Sequence, residues 1–347
     1  MPDPVFLGVG ATDHHRGQSL ARLSDINGDG VDEIVVGTPN FSNPVASPPQ
    51  SEGQISVHSG STGAVLWTYG SLQGTYGRLG HSVAVIDDLN GDGKSEVLAG
   101  APSTVSGALA EAGAVICLSG ANGSVVWSHL GSHAAGEWFG FSVAPLADIN
   151  GDGKEEVIVG SPGADDLVFA AVVRNGRVSL LDGSTGNELW TNVPLTVNDG
   201  RRRGWSVIDM GDHNADGFHD VGAGEPRRPG VLSFEQGFLV RVSGLNGLNL
   251  SGYSSSSNLG HFGTCLIMLP DQDGDGVNEI VVGSPGYNGK GRIRAFSLSP
   301  ANPANSPIAG ATVDGSWSGG RFGESLTNIG DVTGDGYPDL AVGAPLA

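Results

Sequence analysis

Asp148-Ile-Asn-Gly-Asp-Gly-Lys-Glu-Glu156 is one of six copies of an acidic nonapeptide that returns every 59 to 64 residues along this chain. The other copies begin at Asp25, Asp88, Asp212, Asp271 and Asp331. Positions 1, 3, 5 and 9 carry oxygen side chains, position 6 is glycine, and position 7 is where such a loop turns a backbone carbonyl inward. The ligand set is therefore Asp25, Asn27, Asp29, Val31 and Glu33 in the first copy and Asp88, Asn90, Asp92, Lys94 and Glu96 in the second. It is Asp148, Asn150, Asp152, Lys154 and Glu156 in the third, and Asp212, Asn214, Asp216, Phe218 and Asp220 in the fourth. The fifth has Asp271, Asp273, Asp275, Val277 and Glu279, and the sixth Asp331, Thr333, Asp335, Tyr337 and Asp339. Alternate residues aim oxygens at one point and the glycine allows the sharp turn, so each copy predicts a Ca²⁺ loop, up to six ions in all. One copy is a weak signal; six in register make a repeat protein.

The register extends to both sides. Gly17, Gly80, Gly140, Gly204, Gly263 and Gly323 each lie eight residues before the first Asp, and Pro39, Pro102, Pro162, Pro226, Pro285 and Pro345 each lie fourteen after it. Between loop and Pro runs a β-branched apolar stretch such as Ile34-Val-Val-Gly37, too short for a helix, which reads as a buried strand. Ser82-Val-Ala-Val-Ile86 and Ser142-Val-Ala-Pro-Leu146 read as partner strands before the loop. An EF-hand is excluded: it needs a carboxylate at position 12 and flanking helices, and position 12 here is Val36, Ala99, Val159, Ala223, Val282 or Val342, inside the strand.

A second hairpin follows in most repeats, from Gly53 to Trp67, Gly113 to Trp127 and Gly176 to Trp190, with Trp placed to dock on the neighbouring unit. The copies at about Gly237 to Leu250 and Gly291 to Val313 keep the shape without the Trp. Four short antiparallel strands per repeat predict an all-β fold, a β-propeller of six four-stranded blades, or seven in a full-length protein. The repeats begin near residues 16, 79, 139, 203, 262 and 322 of one domain, 1–347. The last lacks its second hairpin, and residues 4–8 are expected as an outer strand closing the ring. Either the ring has a thin sixth blade or the chain is a fragment of a seven-repeat protein.

Phe139-Gly140, Phe262-Gly263 and Phe322-Gly323, with Gly100-Ala-Pro102 and Gly343-Ala-Pro345, resemble the FG-GAP repeat of integrin alpha-subunit propellers and their bacterial relatives. The resemblance spans essentially the whole chain. Arg16, Leu79 and Arg203 replace the Phe, and Thr38, Ser161, Glu225 and Ser284 replace the Ala. It implies a seven-bladed pattern with calcium in only some blades, whereas every copy here retains the ligand set. It also implies an adhesive function.

The formal net charge is −20, with 37 acidic and 17 basic residues. Loop positions 1, 5 and 9 together with Asp273 hold about half of the acids, so much of the acidity is ligand, and bound calcium would bring the charge near −8. A basic footprint for nucleic acid is absent, and no apolar run approaches the ~18 residues of a membrane span. Calcium sites of this kind work where the ion is millimolar, which points to an extracellular or cell-surface protein, a monomeric propeller or part of a larger chain. Cys117 and Cys265 read as buried free thiols at strand positions.

A ligand is expected on the loops opposite the calcium loops. Arg201, Arg202 and Arg203 enter the fourth blade and Arg227 and Arg228 leave its second strand, a candidate site for a polyanionic protein or glycan. Ion pairing with Asp199, Glu225 and Glu235 competes with that reading. Loop aromatics such as Phe41, Tyr76, Trp138 and Tyr253 read as packing with sugar stacking as the alternative. No nucleophile elbow or zinc motif escapes the repeat pattern, so an interaction module is expected rather than an enzyme. The alternative is a non-catalytic scaffold of a secreted polysaccharide lyase or quinoprotein-like dehydrogenase.

Overall fold

The computed structural model describes residues 15–42, 52–70, 77–164, 174–194, 200–227, 236–254, 260–272, 274–298 and 307–347. The closing strand expected at 4–8 lies outside them, as do Tyr76, Asp199, Arg228, Glu235 and Asp273. The described residues form β-strands in six successive antiparallel sheets, with one 3-10 turn at Tyr287–Gly289.

The first sheet is built in chain order from Ser19–Leu23, Glu33–Thr38, Gln54–His58 and Val65–Gly70, and the second from Ser82–Ile86, Glu96–Gly100, Ala114–Ser119 and Val125–Leu130. The third holds Ser142–Leu146, Glu156–Ser161, Arg177–Leu181 and Glu188–Asn192. Val207–Asp209, Val221–Glu225, Phe238–Val242 and Asn249–Ser254 make the fourth, and Leu266–Leu269, Glu279–Ser284, Arg292–Ser297 and Pro307–Asp314 the fifth. The sixth has two strands, Ser325–Gly330 and Asp339–Gly343, as the missing second hairpin requires. In each sheet the acidic nonapeptide joins the first strand to the second; Leu23 pairs with Glu33 and Ile86 with Glu96 across it. Second strands such as Glu96–Gly100 are buried at every residue, which explains their unbroken β-branched and small apolar sequence.

Contacts divide the chain into two compact units, 1–165 with 179–191 and 166–178 with 192–347. In the first unit the opening strands of consecutive sheets pack against each other, and Leu23, Val35, Ile55, Val97, Ile116 and Leu118 form a core between the first two sheets. In the second unit Met210, Leu239, Phe262, Ile280, Val282 and Phe296 fill the same space between the fourth and fifth sheets.

The Phe-Gly step is the seam between neighbouring sheets. Gly113 makes a parallel bridge to Phe139 of the next repeat; its φ is +88°, and a Cβ there would lie 2.2 Å from the Phe139 carbonyl oxygen. Gly140 has φ +82°, and its carbonyl accepts the Ser82 hydroxyl at 3.0 Å. The same bond recurs from Ser19 to Gly80, Ser206 to Gly263 and Cys265 Sγ to Gly323. Both cysteines are free, but only Cys117 is buried; Cys265 is half-buried because it stands in that polar seam position rather than in a core. Trp67 and Trp127 dock as expected, their indole N–H groups donating to Gly120 O at 2.8 Å and Gly183 O at 2.7 Å in the following repeat.

Candidate metal centre

Each loop is wound around its own carboxylates. In the first, Asp25 Oδ1 accepts the Gly28 N–H at 2.6 Å and Oδ2 the Gly30 N–H at 2.8 Å, while Asn27 Oδ1 accepts from Asp29 N and Asp29 Oδ1 from Val31 N, both at 2.9 Å. The same bonds hold the second and third loops, and the Asp-to-glycine bonds recur at Asp271 and Asp331. In the fourth loop the Gly217, Asp216 and Phe218 N–H groups keep them although Ala215 replaces the first glycine, and Ala215 takes φ +59°. Backbone donors hold Asp25, Asp88, Asp148 and Asp331 below the usual carboxylate range, so these groups are ionised.

Position 9 behaves differently. Glu33, Glu96, Glu156, Asp220 and Glu279 are buried, whereas Asp339 of the thin sixth sheet is not. Each carboxylate reaches back to the N–H of loop position 2, as Glu33 does to Ile26 at 3.1 Å and Glu156 to Ile149 at 3.1 Å. Burial pushes Glu96 and Glu156 up to about 7, with the charges of the position 1 and 5 aspartates adding to the rise. Asp220 is raised by burial as well. Glu156 Oε1 is buried with no hydrogen-bond partner. A buried, donor-poor carboxylate packed beside two aspartates is costly to ionise, and a hard cation removes that cost. The donor set is all oxygen, as Ca²⁺ requires. Carboxylate oxygens of Asp88, Asp92 and Glu96, and of Asp271, Asp275 and Glu279, lie within 4.8 Å of one another.

Three features escape the sequence pattern. Lys94 Nζ donates to the Asp25 carbonyl of the preceding loop at 2.8 Å, and Lys154 Nζ to that of Asp88, so position 7 also ties one loop to the next. The turn between third and fourth strands touches the loop: Ser61 donates to Asp29 Oδ2 at 2.5 Å and Ser119 to Asp92 Oδ2 at 3.1 Å. In all six repeats the residue before the Phe position (His15, Arg78, Trp138, Arg202, His261 or Arg321) has positive φ. The register of serines after the third strand is legible in the sequence once the hairpin is placed; the left-handed residues are of ordinary types and give no signal.

The arginines are only partly brought together on a surface. Arg203 occupies the Phe slot and is 2% exposed, its Nε and Nη2 donating to Glu225 Oε1 at 2.7 and 2.6 Å, with Nη1 reaching Asn249 at 3.0 Å and also Asn192. Arg201 is buried 4.0 Å from the other Glu225 oxygen. The expected exposed patch therefore does not include Arg201 and Arg203: an apolar slot filled by a guanidinium needs its counter-charge, and Glu225 supplies it. Arg202 lies 5.8 Å over the Trp205 ring, and Arg227 is exposed. Among the loop aromatics, Trp138 stacks on Phe141 at 6.1 Å and Tyr253 is buried against Phe296.

Successive antiparallel sheets with an acidic loop between their first two strands define a β-propeller of acidic-loop blades. Residues 16–58, 79–116, 139–181 and 322–347 match the FG-GAP repeat. These four stretches are FG-GAP repeats, and the chain is similar to integrin alpha chains. It is 34% identical to integrin alpha-PS2 of Drosophila melanogaster over 45% of this chain and 11% of that protein. Identity to integrin alpha-V of Gallus gallus is 30% over 57% of this chain and 18% of the relative; for integrin alpha-8 of Mus musculus it is 25% over 60% and 20%. The match thus spans about a tenth to a fifth of these relatives' length. The fourth and fifth repeats lie outside the matched FG-GAP residues, yet they have the same strand–loop–strand geometry. Among the described residues no helix is long and apolar enough to cross a membrane.

Proposed function

We propose that this chain is a calcium-stabilised interaction module of an extracellular or cell-surface protein, one propeller domain that binds a protein or glycan on the loops opposite its acidic loops. The buried position 9 carboxylates carry the reading, because their cost is met when a cation completes each loop. With ~2 mM calcium and a dissociation constant of ~0.1 mM, each site adds roughly 1.8 kcal/mol. Six independent sites supply on the order of 10 kcal/mol, comparable with the stability of a whole domain. That gain needs a millimolar ion, hence the extracellular assignment. The similarity to integrin alpha chains supports adhesion as the kind of work done. Arg202, Arg227 and Arg228 favour a polyanionic ligand.

A glycan and matrix-protein array in millimolar calcium, run beside a variant with Arg202, Arg227 and Arg228 changed to Ala, tests this. Binding to acidic ligands that the variant loses is the expected result. A blank array from the folded protein contradicts the interaction reading, and binding that the variant retains moves the site elsewhere.

A further inference from the structure

In the first and second repeats a tryptophan on the fourth strand reaches the following repeat, and its partner across the sheet is small and apolar: Trp67 pairs with Val57 and Trp127 with Cys117. The fourth sheet departs from this at both positions. Arg241 stands where Val57 and Cys117 do, and Ser251 pairs with it in place of the tryptophan. Arg241 donates to the Ser251 hydroxyl and lies 5.4 Å over the Tyr253 ring. On the fifth sheet Arg294 lies 5.9 Å over Phe296, and the Tyr253 and Phe296 rings are 5.3 Å apart. Two guanidiniums thus flank one aromatic pair in the groove between the outer strands of the fourth and fifth sheets.

Among the described residues no carboxylate pairs with Arg241 or Arg294, and the Nε of each is buried with no hydrogen-bond partner. Burial and the neighbouring Arg292 charge lower the pKa of Arg294. Arg203 and Arg292 differ: Glu225 and Asp314 meet their charges. The sequence supplies no acid nearby along the chain. Residues 236–270 and 280–313 contain Arg241, Lys290, Arg292 and Arg294 and no Asp or Glu, in a chain of net charge −20. An aromatic face is a weaker partner for a guanidinium than an oxyanion, which takes two N–H donors at once. Exposed hydroxyls stand beside both cations, Ser251 opposite Arg241 and Thr312 opposite Arg294. Cations and hydroxyls above rings that are already buried match the chemistry of a sulfated sugar chain.

We propose that this groove binds a sulfated polysaccharide, Arg241 and Arg294 each holding a sulfate group. The site uses neither the acidic loops nor Arg202, Arg227 and Arg228, so it stands or falls apart from the function proposed above.

The test is calorimetric titration of the whole chain in millimolar calcium with a heparin octasaccharide, with free sulfate and an octaglutamate peptide as the other arms. Arg241→Gln and Arg294→Gln are each expected to weaken octasaccharide binding roughly tenfold, and the double variant to abolish it. Arg294→Lys, which keeps the charge and loses the fork, is expected to fall between. The same changes made in the variant with Arg202, Arg227 and Arg228 replaced by Ala separate the two sets of arginines. Thermal midpoints without ligand are expected to stay level, since neither arginine has a counter-ion to lose. Unchanged octasaccharide affinity in the double variant overturns the proposal, as does a wild-type protein that does not bind it. Octaglutamate binding as tightly as the octasaccharide assigns the groove to acidic peptide, and free sulfate doing so assigns it to a single ion; either overturns the polysaccharide reading. Loss of binding that tracks a fallen midpoint makes the arginines structural and overturns it too.

Discussion

Arg203 and Glu225 are two departures from the repeat that explain each other. The Phe position and the Ala position of one repeat face the same seam, so a guanidinium in the first is tolerated because a carboxylate stands in the second, 2.6 Å away. Removing one partner of a buried pair costs about 3 kcal/mol, whereas replacing both by apolar groups is close to neutral. Arg203→Phe is therefore expected to lower stability by about that amount and Arg203→Phe with Glu225→Ala to recover most of it, as measured by urea unfolding in calcium. A half-buried group sets an acid limit. His81, packed 4.4 Å from the Phe141 ring, is pushed down to about 4, first by burial and then by the Arg78 charge. Its folded pKa lies below its unfolded value, so its contribution is complete above about 6.5 and lost as pH falls through about 4. Unfolding midpoints of His81→Gln are expected to fall less steeply than wild type across that window; parallel curves contradict the assignment.

At the scale of elements, the seam glycines set the spacing of the sheets. Gly113→Ala combines a left-handed φ with a Cβ 2.2 Å from Phe139 O and 2.4 Å from Phe139 N, backbone atoms that cannot swing aside. Its expected cost exceeds about 4 kcal/mol, read as loss of soluble folded protein or a large drop in Tm. Most of this architecture is legible in the sequence because it is local. Loop chemistry, strand and hairpin lie within one 60-residue repeat, and six copies average out individual departures. What is not legible arises between repeats. Lys94 bonding to the Asp25 carbonyl, the Ser82 hydroxyl on the Gly140 carbonyl and the burial of Arg203 all depend on which surfaces face each other across a seam. The Asn150 amide donating to Asp182 likewise appears only when that turn is placed against the loop.

At the scale of the whole molecule, about half of the acidic residues behind the net charge of −20 sit in six loops, five of which bury their innermost carboxylate. Without cations the folded state gathers like charges that the unfolded chain disperses. On the calcium reading proposed above, bound cations would turn the same groups into crosslinks between first and second strands. Fold and calcium would then be one thermodynamic unit, with sites acting additively where loops are independent. The direct measurement is the thermal midpoint in 2 mM calcium and in excess chelator, ~10 kcal/mol of linkage being at stake. A drop of well over ~10 °C in chelator, reversed by adding calcium back, is the predicted result. Equal midpoints in the two buffers would contradict the claim that these loops hold the fold together.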